Sequence, residues 1–216
     1  MNTARKLLRV ASWGFLVSAV LLLIVTYVHS RRQRLLEPAT ASLPIFWQVP
    51  DFSLTAHTGQ TLSRADLNGK VSIVNFFFTT CRSICPIMQD SMSEVQKAFA
   101  HNPMVQLVSF TVDPERDTVP VLAEYAKRRG AIQGQWFFVT GAKPDIYKLA
   151  RQGFRLAADD TPEELQGTVH DFIHSEKLVL VDKQGNIRGY YSSLDAQQVE
   201  QLIADVNKLL RDEGKR

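Results

Sequence analysis

Cysteine is scarce in this sequence. Its 216 residues hold two, Cys81 and Cys85. No second pair is available to complete a four-ligand structural zinc site. A basic block is also missing from the part long enough to fold. The net charge of +3 arises at the N-terminus, where residues 1–34 carry Arg5, Lys6, Arg9, Arg31, Arg32 and Arg34 and no acid. Without those six, the rest holds 19 basic against 22 acidic residues, which argues against a nucleic-acid partner. Internal repeats and low-complexity tracts are absent. The chain is 45% hydrophobic, enough for one sizeable core.

One stretch lacks charge altogether. "VASWGFLVSAVLLLIVTYV", residues 10–28, would make a helix about 28 Å long, close to the thickness of a bilayer's hydrocarbon core. Basic residues flank it, and Trp13 and Tyr27 lie near its two ends. The apolar run is longer than that of a cleaved signal peptide, and "HSRRQR" follows it rather than small residues. It reads as an uncleaved anchor. Residues 1–9 are then a short cytoplasmic tail, too short for a mitochondrial transit peptide, and the membrane is a bacterial inner membrane crossed once. Basic residues balance on the two sides, and the start amino group favours a soluble domain on the periplasmic or outer side.

Residues 29–47 read as a linker broken by Pro38 and Pro44, residues 48–210 as one domain and residues 211–216 as a charged tail. Within the domain, "FSLT" and "TLSR" flank the turn "HTGQ" and predict a hairpin. "VSIVNFFF", residues 71–78, is an unbroken apolar run expected of a central strand buried on both faces. Met88, Met92, Val95 and Phe99 form a helical stripe, for which core packing outweighs thioether ligation. "MVQLVSFTV" predicts a strand, "VPVLAEYAKRRG" a helix stopped by Gly130, "WFFVT" a strand and residues 144–152 a short helix. "KLVLVD" and "IRGYY" form a second hairpin, and a helix capped by Asp195 closes the chain. Strands alternating with helices predict a three-layer α/β sandwich.

Cys81 and Cys85 then fall where the central strand gives way to a helix, with Pro86 in its first turn. A helix N-terminus stabilises a thiolate. A separation of four places both sulfurs on one side of that turn. A disulfide over so short a loop adds little chain-entropy stabilisation. A staple, a redox pair and a metal site remain open on these grounds.

The motifs carry a resemblance. "PDFSLTAHTGQTLSRADLNGKVSIVNFFFTTC" resembles the opening of thioredoxin-like domains. "CRSICP", "TVDPERDT" and "HSEKLVLVDKQG" together resemble the Sco family of copper-binding assembly factors for cytochrome c oxidase. The resemblance implies a thioredoxin-like sandwich behind an N-terminal transmembrane helix. It implies that Cys81, Cys85 and His174 bind one copper ion per chain, as Cu(I) or Cu(II), and that the two cysteines can pair as a disulfide. Two thiolates and an imidazole form a soft set suited to that metal. It further implies a membrane-anchored metallochaperone whose partner is the copper-centre subunit of cytochrome c oxidase, served by an unidentified copper donor or reductant. Asp113, in "TVDPERDT", is expected to orient the site, to dock a partner, or simply to make a turn before Pro114. Arg116 and Asp117 read as solvated loop, and His57 as a surface residue. His170, four before His174, reads as accessory. The alternative function is a thiol–disulfide oxidoreductase acting on exported proteins without copper, with Cys81 and Cys85 catalytic. The peroxiredoxin pattern fails, since Phe78 and Val74 stand where its threonine and proline would fall.

Overall fold

The computed structural model describes residues 18–22, 25–26, 42–156 and 175–212. Two units separate by their contacts, residues 1–41 and 42–216. In the first, residues 18–22 and 25–26 are helical. The expected anchor, residues 10–28, falls mostly outside the described residues. Among those described, no helix is long and apolar enough to cross a membrane.

The second unit is built on a seven-stranded sheet. Its strands are β1 (Ser53–Ala56), β2 (Thr61–Ser63), β3 (Val71–Phe77), β4 (Val105–Thr111), β5 (Trp136–Thr140), β6 (Lys177–Val181) and β7 (Ile187–Ser192), in the spatial order β2-β1-β5-β4-β3-β6-β7. Only β3, β4 and β5 run parallel; the other pairings are antiparallel. The β1–β2 and β6–β7 hairpins both form where the turn residues foretell them.

The helices are α1 (Ile84–Ala98), α2 (Val119–Arg129), α3 (Lys143–Lys148), which continues as a π-turn over Leu149–Gly153, and α4 (Ala196–Asp212). All seven residues of β3 are buried, because apolar side chains leave it on both faces. Val71, Ile73 and Phe77 meet α1, α2 and α4, while Val74 and Phe76 meet α3 and its π-turn. The sheet thus lies between two apolar layers, the three-layer arrangement that the alternation implied. Met88, Met92, Val95 and Phe99 all lie in the first core. Truncating a side chain as central as Phe77 would cost about 3–5 kcal/mol.

The predicted stops and caps are in place. Gly130 ends α2 in the left-handed conformation, φ 66°, which a residue without Cβ adopts freely. Asp195 accepts from the Gln197 N–H at 2.9 Å and so caps α4. Val199, Leu202, Val206 and Leu209 form the buried stripe of α4, with Ile203 at its margin.

Residues 43–49, which straddle the expected end of the linker, lie along the outer edge of β7. Phe46 N–H donates to Ile187 O at 3.0 Å, Ile187 N–H to Trp47 O at 2.8 Å, and Val49 N–H to Gly185 O at 2.9 Å. This pairing covers an edge that would otherwise offer unpaired backbone groups. Arg188 fastens it by donating to the carbonyls of Leu43 and Pro44 while pairing with the buried Asp182 at 2.7 Å.

Candidate functional site

Three chain segments meet at one end of the sheet. The parallel strands β3 and β4 both finish there. β6 runs antiparallel to β3, with Val74 opposite Val179, so the chain re-enters the sheet at Lys177 on that same end, two residues after Ser175. The C-terminal end of parallel strands, beside a helix N-terminus, is where α/β folds place their ligands.

Cys81 lies in the turn after β3, its N–H held by Phe78 O at 3.3 Å. Cys85 is the second residue of α1, behind Ser83 at the N-cap, with Pro86 third. Prolines suit this first turn because its N–H groups have no partner within the helix. The Cys85 N–H instead donates to Cys81 Sγ at 3.5 Å, and Ser83 Oγ lies 3.7 Å from the same sulfur. Both thiols are free.

Their environments differ. Cys81 is half-buried, whereas Cys85 is buried in the core beneath α1. Burial works against the Cys81 thiolate, but hydrogen bonds from Cys85 and Ser83 prevail and bring that thiol down to about 7 from an ordinary 9.0. Burial dominates at Cys85 and pushes it up to about 12, with the neighbouring charges of Cys81 and Asp117 adding to the rise. The pair therefore offers one accessible thiolate near neutral pH and one protonated, sheltered partner.

The segment after β4 contributes the anchoring. Asp113 is almost buried and pairs with the exposed Arg116 at 3.4 Å. Its own N–H donates to Thr111 Oγ1 at 3.0 Å, and its carbonyl accepts from the Arg116 and Asp117 N–H groups. Burial leads in raising its carboxyl above the ordinary range, and Arg116 partly offsets this. Among the described residues, its hydrogen bonds join it to Thr111 and to its own turn rather than to a cysteine.

Asp117 corrects the sequence reading. It is 0% exposed, not solvated. Its carboxylate accepts from the Thr79 N–H at 3.0 Å, from the Thr79 hydroxyl and from the Thr111 hydroxyl at 2.5 Å. Both strand ends thus close on one carboxylate. The chance to see this lay in Thr79, Thr111 and Asp117 all flanking strand ends, but only the parallel β3–β4 pairing brings them together. His57 is also tied in rather than free on the surface: its Nδ1 accepts from the Phe138 N–H at 3.2 Å, and burial lowers its pKa.

Two of the three expected metal ligands are thus adjacent. His174 and His170 lie outside the described residues, as does all of residues 157–174. Among the described residues, no three His, Cys, Asp or Glu side chains gather into a metal-binding group.

The family model for SCO1/SenC matches residues 47–211, most of the chain. The chain belongs to the SCO1/SenC family. The SCO1 protein homolog of Bacillus subtilis is 30% identical over 165 residues, covering 76% of this chain and 83% of that one. BsSco, described as carrying a disulfide switch and as a member of the Sco family of cytochrome c oxidase assembly proteins, superposes with a TM-score of 0.65. It is 28% identical and is matched over 78% of this chain and 96% of its own. ScoI of Arabidopsis thaliana, solved with copper bound, gives a TM-score of 0.58 at 27% identity, over 76% of this chain and 98% of its own. The mixed α/β architecture described above is the thioredoxin-like fold of these Sco proteins.

Proposed function

We propose that this chain is a copper chaperone that delivers the ion to the copper centre of cytochrome c oxidase during assembly. The observation that carries this reading is the cysteine pair at the N-terminus of α1, where Cys81 Sγ accepts from the Cys85 N–H and the two thiols are themselves in hydrogen-bond contact. Thiolates are soft ligands suited to Cu(I). The copper-bound Arabidopsis relative and the oxidase-assembly role stated for BsSco support the same reading.

In this account copper is cargo. Cys81, accessible and ionised near neutrality, takes the ion first. Cys85 then gives up its proton as its sulfur joins, so one proton leaves as the second bond forms. His174 completes the set as an imidazole ligand. Its neighbour Ser175 stands at the end of the sheet that carries the cysteines, which supports that role. The ion leaves by exchange onto the ligands of the oxidase subunit, with one ion held per chain, as Cu(I) or Cu(II). Residues 10–28 anchor the chain in a bacterial inner membrane, with the domain on the periplasmic or outer side. The uncharged run and the oxidisable cysteine pair support this placement.

A second reading keeps the dithiol and omits the metal: Cys81 and Cys85 reduce the disulfide of an exported partner. The unequal thiols favour it, since an accessible thiolate beside a protonated partner suits exchange. The two readings separate in a strain lacking the chain. Copper delivery predicts that added copper restores oxidase activity and that added thiol reductant does not. Restoration by reductant alone would reverse the choice.

A further inference from the structure

So far Asp117 enters only as a charge that helps raise the Cys85 thiol, yet among the described residues it is the most completely buried acid beside the site. Its three donors are an amide and two hydroxyls, all neutral. They come from two different strand ends. Thr79 follows β3 and precedes Cys81 by two residues, while Thr111 is the last residue of β4. Asp117 is itself held, because its N–H donates to Asp113 O at 2.9 Å. On the other side, the Cys81 N–H donates to Phe78 O, and Val112 N–H donates to Phe77 O at 2.8 Å. Strand end, carboxylate and cysteine turn thus form one closed set of hydrogen bonds. Burying a carboxylate is costly unless its oxygens are satisfied. A neutral side chain would close a loop at less cost. The charge makes each of these hydrogen bonds stronger than a neutral one.

We propose that Asp117 is a positioning residue for the dithiol: through Thr79 and Thr111 its carboxylate fixes the Cys81 turn against the two parallel strands and holds Cys81 Sγ at the Cys85 N–H. The proposal rests on the dithiol being the working site, which both readings above share, and not on copper. Ligand groups held by outer partners bind metal more tightly, and the same fixing raises the effective concentration of one thiol toward the other.

The test uses the reduced full-length chain with Asp117→Asn, which keeps the size and loses the charge. Two quantities are measured. One is Cu(I) affinity against a chromophoric chelator. The other is the equilibrium with glutathione, in which the two thiols and one glutathione disulfide give the Cys81–Cys85 disulfide and two glutathione molecules. With unchanged far-ultraviolet circular dichroism, Cu(I) affinity is expected to fall about 10-fold or more. The internal disulfide is also expected to become less favoured against glutathione, because the thiols are held together less well. A buried group that merely stabilised the fold would move neither. Loss of a charge that helps raise the Cys85 thiol would by itself strengthen Cu(I) binding, so a fall reports positioning. Unchanged values of both in the folded variant overturn the proposal.

If Asp117→Asn does not fold, Thr111→Val decides on the same two measurements, since it removes one donor to Asp117, together with the acceptor of the Asp113 N–H, and leaves the Thr79 bonds. A fall in both supports the proposal, and no change overturns it. If the wild-type chain binds no Cu(I), the copper reading fails alone, and the glutathione equilibrium still decides the role of Asp117.

Discussion

The Cys85 N–H points at Cys81 Sγ from 3.5 Å, so the helix that buries one thiol activates the other. The result is a wide separation, with Cys81 near 7 and Cys85 near 12. Alkylation depends on the thiolate. Brief treatment of the reduced chain with iodoacetamide at pH 7 should therefore label Cys81 well before Cys85, as mapped by peptide mass spectrometry. Labelling of Cys85 first would mean that the burial order is reversed.

The same separation sets a pH dependence for metal binding. Both thiols must lose their protons to bind Cu(I), so affinity rises with pH. Between the two values only Cys85 still carries a proton in the free site. The logarithm of the apparent Cu(I) affinity should climb by about one per pH unit above pH 7, and by about two well below it. Competition titrations between pH 5.5 and 9 measure the slope. A flat profile would show that the thiols are already ionised in the free protein.

Most of the fold was legible because its signals are local and periodic. An apolar run such as Val71–Phe77 has few places to go except the middle of a sheet, and Gly130 and Asp195 mark helix ends by their own chemistry. The cysteine pair was legible for the same reason, since strand, turn and helix are consecutive in the sequence. Asp117 was not. In "DPERDT" it looks like any loop acid, and its burial is decided by Thr79, 38 residues earlier, through a strand pairing that no local pattern reveals. Residues 43–49 escaped likewise, because their partners lie on β7, some 140 residues along the chain. The segment carrying His174 gives a resemblance in the sequence and lies outside the described residues.

His174 and His170 are separable by experiment. "VHDFIH" has no helical stripe, and in an extended chain four residues span roughly 13 Å, too far for both rings to reach one ion. Replacing His174 with Ala should abolish the thiolate-to-copper absorption band of the Cu(II) form and weaken Cu(I) binding less, because two thiolates hold Cu(I) unaided. His170→Ala should leave both nearly intact. The opposite pattern in the absorption spectra would assign the ligand to His170.

Two ion pairs of equal length should differ in worth. Arg188–Asp182 and Arg129–Asp90 are both 2.7 Å, but the side chains of the first are 11% and 2% exposed and those of the second 22% and 70%. Arg188→Ala leaves the buried Asp182 carboxylate with only the neutral donors of Gln184 and Asn186 and releases the backbone of Leu43 and Pro44, so it should cost about 3 kcal/mol. Asp90→Ala removes a solvated partner and should cost under about 1 kcal/mol. Urea unfolding of the two variants gives the comparison. Equal losses would show that the β7 edge is not held by Arg188.

Copper titration of the fully reduced chain bears most directly on the central claim. Wild-type protein should take up one Cu(I), with an endpoint that survives a competing chelator. Cys81→Ser and Cys85→Ser should each lose that tight binding, since one remaining thiolate leaves too few soft ligands. Tight binding that persists in either variant, or a wild-type chain that takes up no Cu(I) while still exchanging disulfides, would contradict the account.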